Sequence, residues 1–251
     1  GVTTMEFEFR FDIVWNNFPL LLEGIQTTIL LSLLTMALGT IIGLSVAIVR
    51  LRARKIFALP LVIYVEVFRG TPGLIQIVWI YYCLPIVTGL QLDALTSLVI
   101  AMALNVGSYL SEVFRAGIQG VDKGHIEAAA ALGFKPGQIT RRIVVPQAAF
   151  RMIPAIGNVF VSAIKLSSLC SVLGMAELMY QGQIIIANFF RPIEVFTVVA
   201  VIYLIMAYTT SLFMMYLEWK LAWVKRENVP FLQRFKQISQ SAFQIRPQGD
   251  L

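Results

Sequence analysis

Charge is scarce in this chain. Only 14% of its 251 residues are Asp, Glu, Lys or Arg, against 58% hydrophobic, and the mean hydropathy is +0.77. A soluble domain carries about a quarter charged residues, so the composition excludes one and indicates an integral membrane protein. Cysteine is also rare. Cys83 and Cys170 both fall in apolar segments, which makes them packing residues rather than a disulfide. A single histidine, His125, and no Cys/His cluster argue against a metal site. No G-x4-G-K-[ST] phosphate loop occurs, and no nucleophile–base pair is visible, so an enzyme is a poor reading; if ATP is used, another subunit holds it. Residues 5–17 carry charge throughout and lack a basic-then-apolar order, so no cleavable signal peptide is expected. The net charge of +6 does not signal nucleic acid, because the basic residues lie between hydrophobic runs rather than in one cluster.

What the chain has in abundance is long, continuous apolar runs. Such runs suit helices rather than the alternating strands of a barrel, and about 20 apolar residues suffice to cross a bilayer. Five runs qualify, at 24–50, 60–85, 92–114, 148–177 and 194–217. Arg50, Arg52, Arg54 and Lys55 follow the first run. Lys123, Lys135, Arg141 and Arg142 sit in the central gap, and more cations lie in the tail. Arg10 and Arg191 fall on the other side. By the positive-inside rule the gap and tail are cytoplasmic. The expected fold is an all-α integral membrane protein with five transmembrane helices, N-terminus out and C-terminus in. Residues 1–19, with Phe7, Phe9, Phe11 and Trp15 among charges, read as an extracytoplasmic or interfacial segment, residues 20–217 as the transmembrane domain, and 218–251 as a cytoplasmic tail.

The gap, residues 121–146, is too charged for lipid yet does not read as a floppy loop. Residues 123–132 are good helix formers with four successive alanines. Gly133 offers the left-handed residue that ends a helix. Pro136 suits the first turn of a second short helix over 137–142, and Pro146 marks the return to the membrane. Two readings fit: a folded loop packed on its own chain, or a helix presented to a partner's groove. Glu127-Ala128-Ala129, then Gly133, then Ile143-x-Val145-Pro146 resembles the EAA motif of ATP-binding-cassette importer permeases, E-A-A-x3-G-x9-I-x-L-P, with Val145 in place of leucine. The resemblance implies that this segment is a coupling helix docked into an ATPase subunit through Glu127, Ala128, Ala129, Gly133 and Pro146.

Polar residues inside the runs are costly and mark a pathway or a structural pair. Glu66 and Arg69 are three apart and can pair on one helix face. Alternatively the break at Gly70-Thr71-Pro72 frees backbone groups at a cavity, where Arg69 holds a substrate carboxylate in a bidentate fork. Lys165, Ser167 and Ser168 lie mid-run, either bonding between helices or forming a polar wall. Asn105 and Ser108 fit the same cavity, and Glu177, Gln181 and Gln183 its outer mouth. Phe68-Arg69-Gly70-Thr71-Pro72, Glu112-Val113-Phe114-Arg115, Lys165-x-Ser167-Ser168-Leu169, Ala176-Glu177-Leu178 and Phe190-Arg191-Pro192 resemble the polar amino-acid branch of these permeases, the importers of histidine, glutamine and arginine. Gly124-His125 stands where that branch has Gly-Gln, and His125 reads as a solvated loop residue. The resemblance covers roughly residues 18–218. It implies a type I importer of the bacterial inner membrane: two permease subunits, identical or paralogous, two ATPase subunits that bind ATP and Mg, and an extracytoplasmic binding protein. Glu66, Arg69, Thr71, Asn105, Lys165, Ser167, Ser168 and Glu177 are the expected substrate path, and no cofactor is expected in this chain.

Overall fold

The structure, a computed structural model, describes residues 8–223, the last three by backbone alone. All regular structure among the described residues is helical. In chain order the helices are α1 (Asp12–Asn16), α2 (Phe18–Arg52), α3 (Lys55–Gly70), α4 (Gly73–Thr88), α5 (Ala94–Gln119), α6 (Lys123–Ala131), α7 (Pro136–Leu173), α8 (Leu178–Phe189) and α9 (Pro192–Trp223). Their starts are capped locally. Asp93 accepts the Thr96 amide at 3.1 Å at the head of α5, and these hydrogen bonds from Thr96 hold its carboxyl below the usual range. Asp122 accepts from Gly124 at 2.8 Å before α6.

The bundle is built on α2 and α5. Their backbones nearly touch: a Cβ on Gly39 would lie 2.9 Å from Val106, one on Gly43 2.8 Å from Leu110, and one on Gly107 2.9 Å from Ile42. Small residues four apart allow this approach where lipid supplies no hydrophobic drive between helices. At one end of the crossing Arg50 pairs with Glu112, which also binds Arg115 at 2.6 Å. Here α7 and α9 complete the bundle, with Gly157 against Met214.

The break expected at 70–72 is present, and α3 and α4 are bent there by 114°. Pro72 keeps Thr71 out of the helical region, and both are extended. Four helices are long and apolar enough to cross singly, at Phe18–Arg52, Ala94–Gln119, Pro136–Leu173 and Pro192–Lys220, and the bent pair makes a fifth only if read as one broken span. The second short helix expected over 137–142 is not separate from the fourth span. The short helix after Pro136 runs straight into the membrane helix through a π-turn at Thr140–Val144. Proline has no N–H for the carbonyl four residues back, and a wider turn absorbs the mismatch. The same device, at Trp79–Cys83, precedes Pro85 in α4.

Residues 8–19 are tied to the bundle. Ile13 and Val14 of α1 are buried with Leu21, Leu178 and Val195, while Phe9 and Trp15 face outward. The Arg10 amide donates to Glu194 at 3.1 Å, and Arg191 donates to the Glu8 carbonyl at 3.0 Å. The rest of the expected N-terminal segment, 1–7, and of the tail, 224–251, lies outside the described residues. The helix over 218–223 simply continues α9.

Candidate functional site

The bend between α3 and α4 leaves carbonyls at the end of α3 without helical partners. One side chain collects them. Gln76, in the first turns of α4, donates to the Phe68 carbonyl at 2.8 Å, the Thr71 carbonyl at 3.0 Å and the Thr71 hydroxyl at 2.6 Å. Asn105 of α5 donates to the Phe68 carbonyl at 3.3 Å and to Gln76 Oε1 at 2.8 Å. The hydroxyl of Tyr64 reaches the Leu104 carbonyl at 2.6 Å, fixing α3 against α5. Beside this knot is a cavity of about 300 Å³ lined by Thr71, Gly73, Asn105, Tyr109, Ser162 and Leu166, among others. The Arg69 guanidinium lies over the Tyr109 ring, 5.5 Å from its centre. A space of this size suits a small polar solute.

The expected path residues divide. Thr71 and Asn105 line the cavity, and Arg69 sits over one of its walls. Glu66 is exposed and forms no ion pair with Arg69 among the described residues. Lys165, Ser167 and Ser168 are not on the lining, which α7 supplies through Val159, Ser162 and Leu166. Ser167 is buried and donates to the Ile164 carbonyl, Ser168 donates to that of Lys165, and Lys165 is exposed. Glu177 is not at an open mouth. It is fully buried, and its carboxylate accepts from the amides of Met179 and Tyr180 at 3.0 and 2.8 Å and from the Tyr203 hydroxyl at 2.6 Å. It is the cap of α8. Gln181 is buried as well, while Gln183 is exposed. Sequence reasoning missed Gln76, Tyr109 and Ser162. For Gln76 one signal was present: it is the lone amide in the apolar arm 73–88.

A second site is the elbow formed by α6 and the start of α7. Here α6 ends in a glycine-closed turn, with Gly133 at φ +77°. The Phe134 amide donates to Ala129 and the Gly133 amide to Ala130, at 3.1 and 3.0 Å. Ala129 is buried, whereas Glu127, Ala128, Ala130 and Ala131 are exposed. A shallow groove of about 350 Å³ runs between α6 and α7, lined by His125, Ala128, Ala129, Leu132, Phe134 and Ile143, with Gln147 at its end. His125 Nδ1 is 3.2 Å from Gln147 Oε1, and Leu132 is 78% exposed. Pro146 is exposed inside α7 rather than at its start. A cationic hollow lined by Lys135, Arg141 and Arg142 lies on the other side of the elbow.

Comparison with known proteins places these features in context. Residues 39–222 match the profile of the family described as binding-protein-dependent transport system inner membrane component. The glutamine transport system permease protein GlnP of Escherichia coli (strain K12) is 37% identical over 212 residues, covering 84% of this chain and 97% of that one. The octopine transport system permease protein OccM of Rhizobium radiobacter is 34% identical over 223 residues, 86% of this chain and 91% of that one. Among solved structures, an amino acid ABC transporter crystallised with histidines superposes with a TM-score of 0.80 at 34% identity, covering 85% of this chain and 100% of the other. The inward-facing MetNI methionine ABC transporter, at 19% identity and a TM-score of 0.70, shares the fold.

Proposed function

The chain belongs to the family of binding-protein-dependent transport system inner membrane components, and from that premise we propose that it moves a polar amino acid inward by alternating access, driven by ATP hydrolysis in separate subunits that grip the α6 elbow. It is a multi-pass permease of the bacterial inner membrane, the membrane component of an ABC amino acid importer. The observation that carries the coupling half of the proposal is α6 itself. A nine-residue helix, capped at both ends, buries only Ala129 and turns Glu127 and Ala128 outward beside an open groove. Such a rigid knob transmits a push from a docked ATPase pair through the unbroken α7 into the bundle.

The remaining parts follow the same logic. ATP and Mg sit in the ATPase subunits. A second permease copy or a paralogue completes the pathway, and an extracytoplasmic binding protein delivers the cargo. Ligand and nucleotide each favour one of two states, so each changes the other's affinity. Arg69 takes the cargo's carboxylate in its fork, Thr71 and Asn105 line its path, and L-glutamine is the first cargo to test, by similarity to the glutamine permease. The path residues Glu66, Lys165, Ser167, Ser168 and Glu177 lie off this cavity and are assigned no contact.

The test is a Glu127→Lys variant in proteoliposomes with its ATPase and binding protein. Membrane insertion unchanged, with ATPase co-purification and uptake lost, is the expected result. Normal uptake defeats the docking claim.

A further inference from the structure

The hydrogen-bond polarity of the cavity at the bend can be worked out atom by atom. Carbonyl oxygens only accept, so the end of Gln76 that faces the Phe68 and Thr71 carbonyls is its NH2 group. Its oxygen then faces Asn105, which therefore donates through Nδ2 to Gln76 Oε1 and to the Phe68 carbonyl. Both hydrogens of the Asn105 amide are thus committed, and Asn105 Oδ1 is left over. That oxygen has no partner among the described residues, yet it is not one of their sealed-in orphan atoms, which are Thr35 Oγ1, Gln181 Oε1 and Glu194 Oε2. It is open to the cavity that Asn105 lines. The neighbouring hydroxyls repeat the pattern. Thr71 gives its hydrogen to the Val67 carbonyl at 2.8 Å and accepts from Gln76, which leaves one lone pair, and Ser162 gives its hydrogen to the Asn158 carbonyl at 2.9 Å. Each turns an oxygen, not a hydrogen, toward any ligand.

We propose that Gln76, acting through Asn105, holds this cavity as an acceptor-lined socket that selects for a primary ammonium group on the cargo, so that Gln76 is a positioning residue for specificity although it does not line the cavity itself. This rests on the reading of the cavity as the substrate site. The ammonium brings three donors to Asn105 Oδ1, Thr71 Oγ1 and Ser162 Oγ, while the carboxylate goes to Arg69. A flipped Asn105 amide would present donors instead and repel the same group. The Gln76 oxygen, with the Phe68 carbonyl that Gln76 also binds, opposes the flip.

The experiment is equilibrium binding of radiolabelled L-glutamine to the detergent-purified permease–ATPase complex, without binding protein. Unlabelled glutamine competes in one arm, and glutaramate, which lacks the α-amino group and adds no bulk, in the other. Wild type should prefer glutamine by about tenfold or more, the value of one hydrogen bond to a charged group. Asn105→Leu should weaken glutamine by a similar factor and leave glutaramate unchanged, so the ratio falls toward one. Gln76→Leu removes the acceptor that faces Asn105 Nδ2 together with the donors to the two carbonyls, and it should collapse the ratio in the same way. Equal competition by the two ligands in wild type overturns the proposal. So does an equal loss for both ligands in both variants, which is the signature of a merely structural role. Arg69→Ala separates the two levels of the argument. If it weakens both ligands while the relay variants leave the ratio intact, the relay falls and the site stands. If Arg69→Ala and Asn105→Leu both leave glutamine binding untouched, the site reading falls too. Should Gln76→Leu fail to fold, the Asn105→Leu ratio decides alone.

Discussion

Gln76 is the residue on which the bend depends, and it was the hardest to read. Its partners are the Phe68 and Thr71 carbonyls and the Asn105 amide. The first two become free only because α3 stops at Gly70, and the third comes from another helix. None of that is local to 76. Arg69, Thr71 and Asn105 were legible because a charge, a pre-proline residue and an amide stand out in apolar runs. Lys165, Ser167 and Ser168 stand out equally but fall off the lining face, which α7 builds at helical spacing from Val159, Ser162 and Leu166. At this scale one prediction concerns Arg69. A bidentate charge-assisted pair with a carboxylate is worth about 3 kcal/mol, so Arg69→Ala should weaken cargo binding about a hundredfold. Its melting temperature should hardly move, because the exposed side chain has only the Tyr109 ring as a partner among the described residues. Arg69→Lys should rescue poorly, an ammonium lacking the fork. Uptake kinetics with a melting control check this; unchanged kinetics would return Arg69 to a structural role.

Elements were legible where their ends are made by neighbours in sequence. The start of α6 at Asp122 and its end at Gly133 were readable because capping and a left-handed turn are local. The fate of α7 was not. Pro146 reads as the return to the membrane, yet the π-turn before it lets the short helix after Pro136 run on into the span, and that turn has no sequence signature of its own. Gly133→Asp should therefore do two things. A side chain at φ +77° costs about 1–2 kcal/mol locally, and the elbow loses its fixed angle. Uptake should fall to background while the protein still inserts, checked by membrane fractionation beside a transport assay. The α2–α5 crossing predicts the opposite balance. Gly43→Leu places a side chain where a Cβ alone meets the Gly107 carbonyl at 2.9 Å, and overpacking of this kind costs about 1–3 kcal/mol. Melting temperature and yield should drop, with any residual folded protein still binding the ATPase. Likewise Glu177→Ala removes the acceptor of two α8 amides and of the Tyr203 hydroxyl. It should destabilise the fold by about 2–3 kcal/mol, read as an earlier unfolding transition in detergent.

For the whole molecule, the side each connection faces turns on the bent pair. Each arm is a 16-residue stretch by its bounds, Lys55–Gly70 and Gly73–Thr88, so each is about 24 Å long. Meeting at 114°, they carry the chain only about 25 Å end to end by that rise, a little short of the roughly 30 Å hydrocarbon core. Geometry alone thus permits a crossing with its ends in the headgroups, or a re-entrant loop. The two give opposite answers for everything downstream. If the pair crosses, the α2–α3 junction at Arg54 and the α6 elbow share a face; if it re-enters, α5 carries the elbow to the opposite face. The cations favour a crossing, because Arg50, Arg52, Arg54 and Lys55 then lie on the same side as Lys123, Arg141 and Arg142. The prediction uses Arg54→Cys and Ala128→Cys, both exposed positions, on a background with Cys83 and Cys170 replaced by serine and alanine. Both should react with a membrane-impermeant maleimide in inside-out vesicles and resist it in intact cells, while Trp15→Cys, also exposed, does the reverse. Labelling of Arg54→Cys and Ala128→Cys from opposite faces would make the bend a re-entrant loop, put the elbow beyond the reach of a cytoplasmic ATPase, and remove the coupling mechanism along with the inward direction of transport.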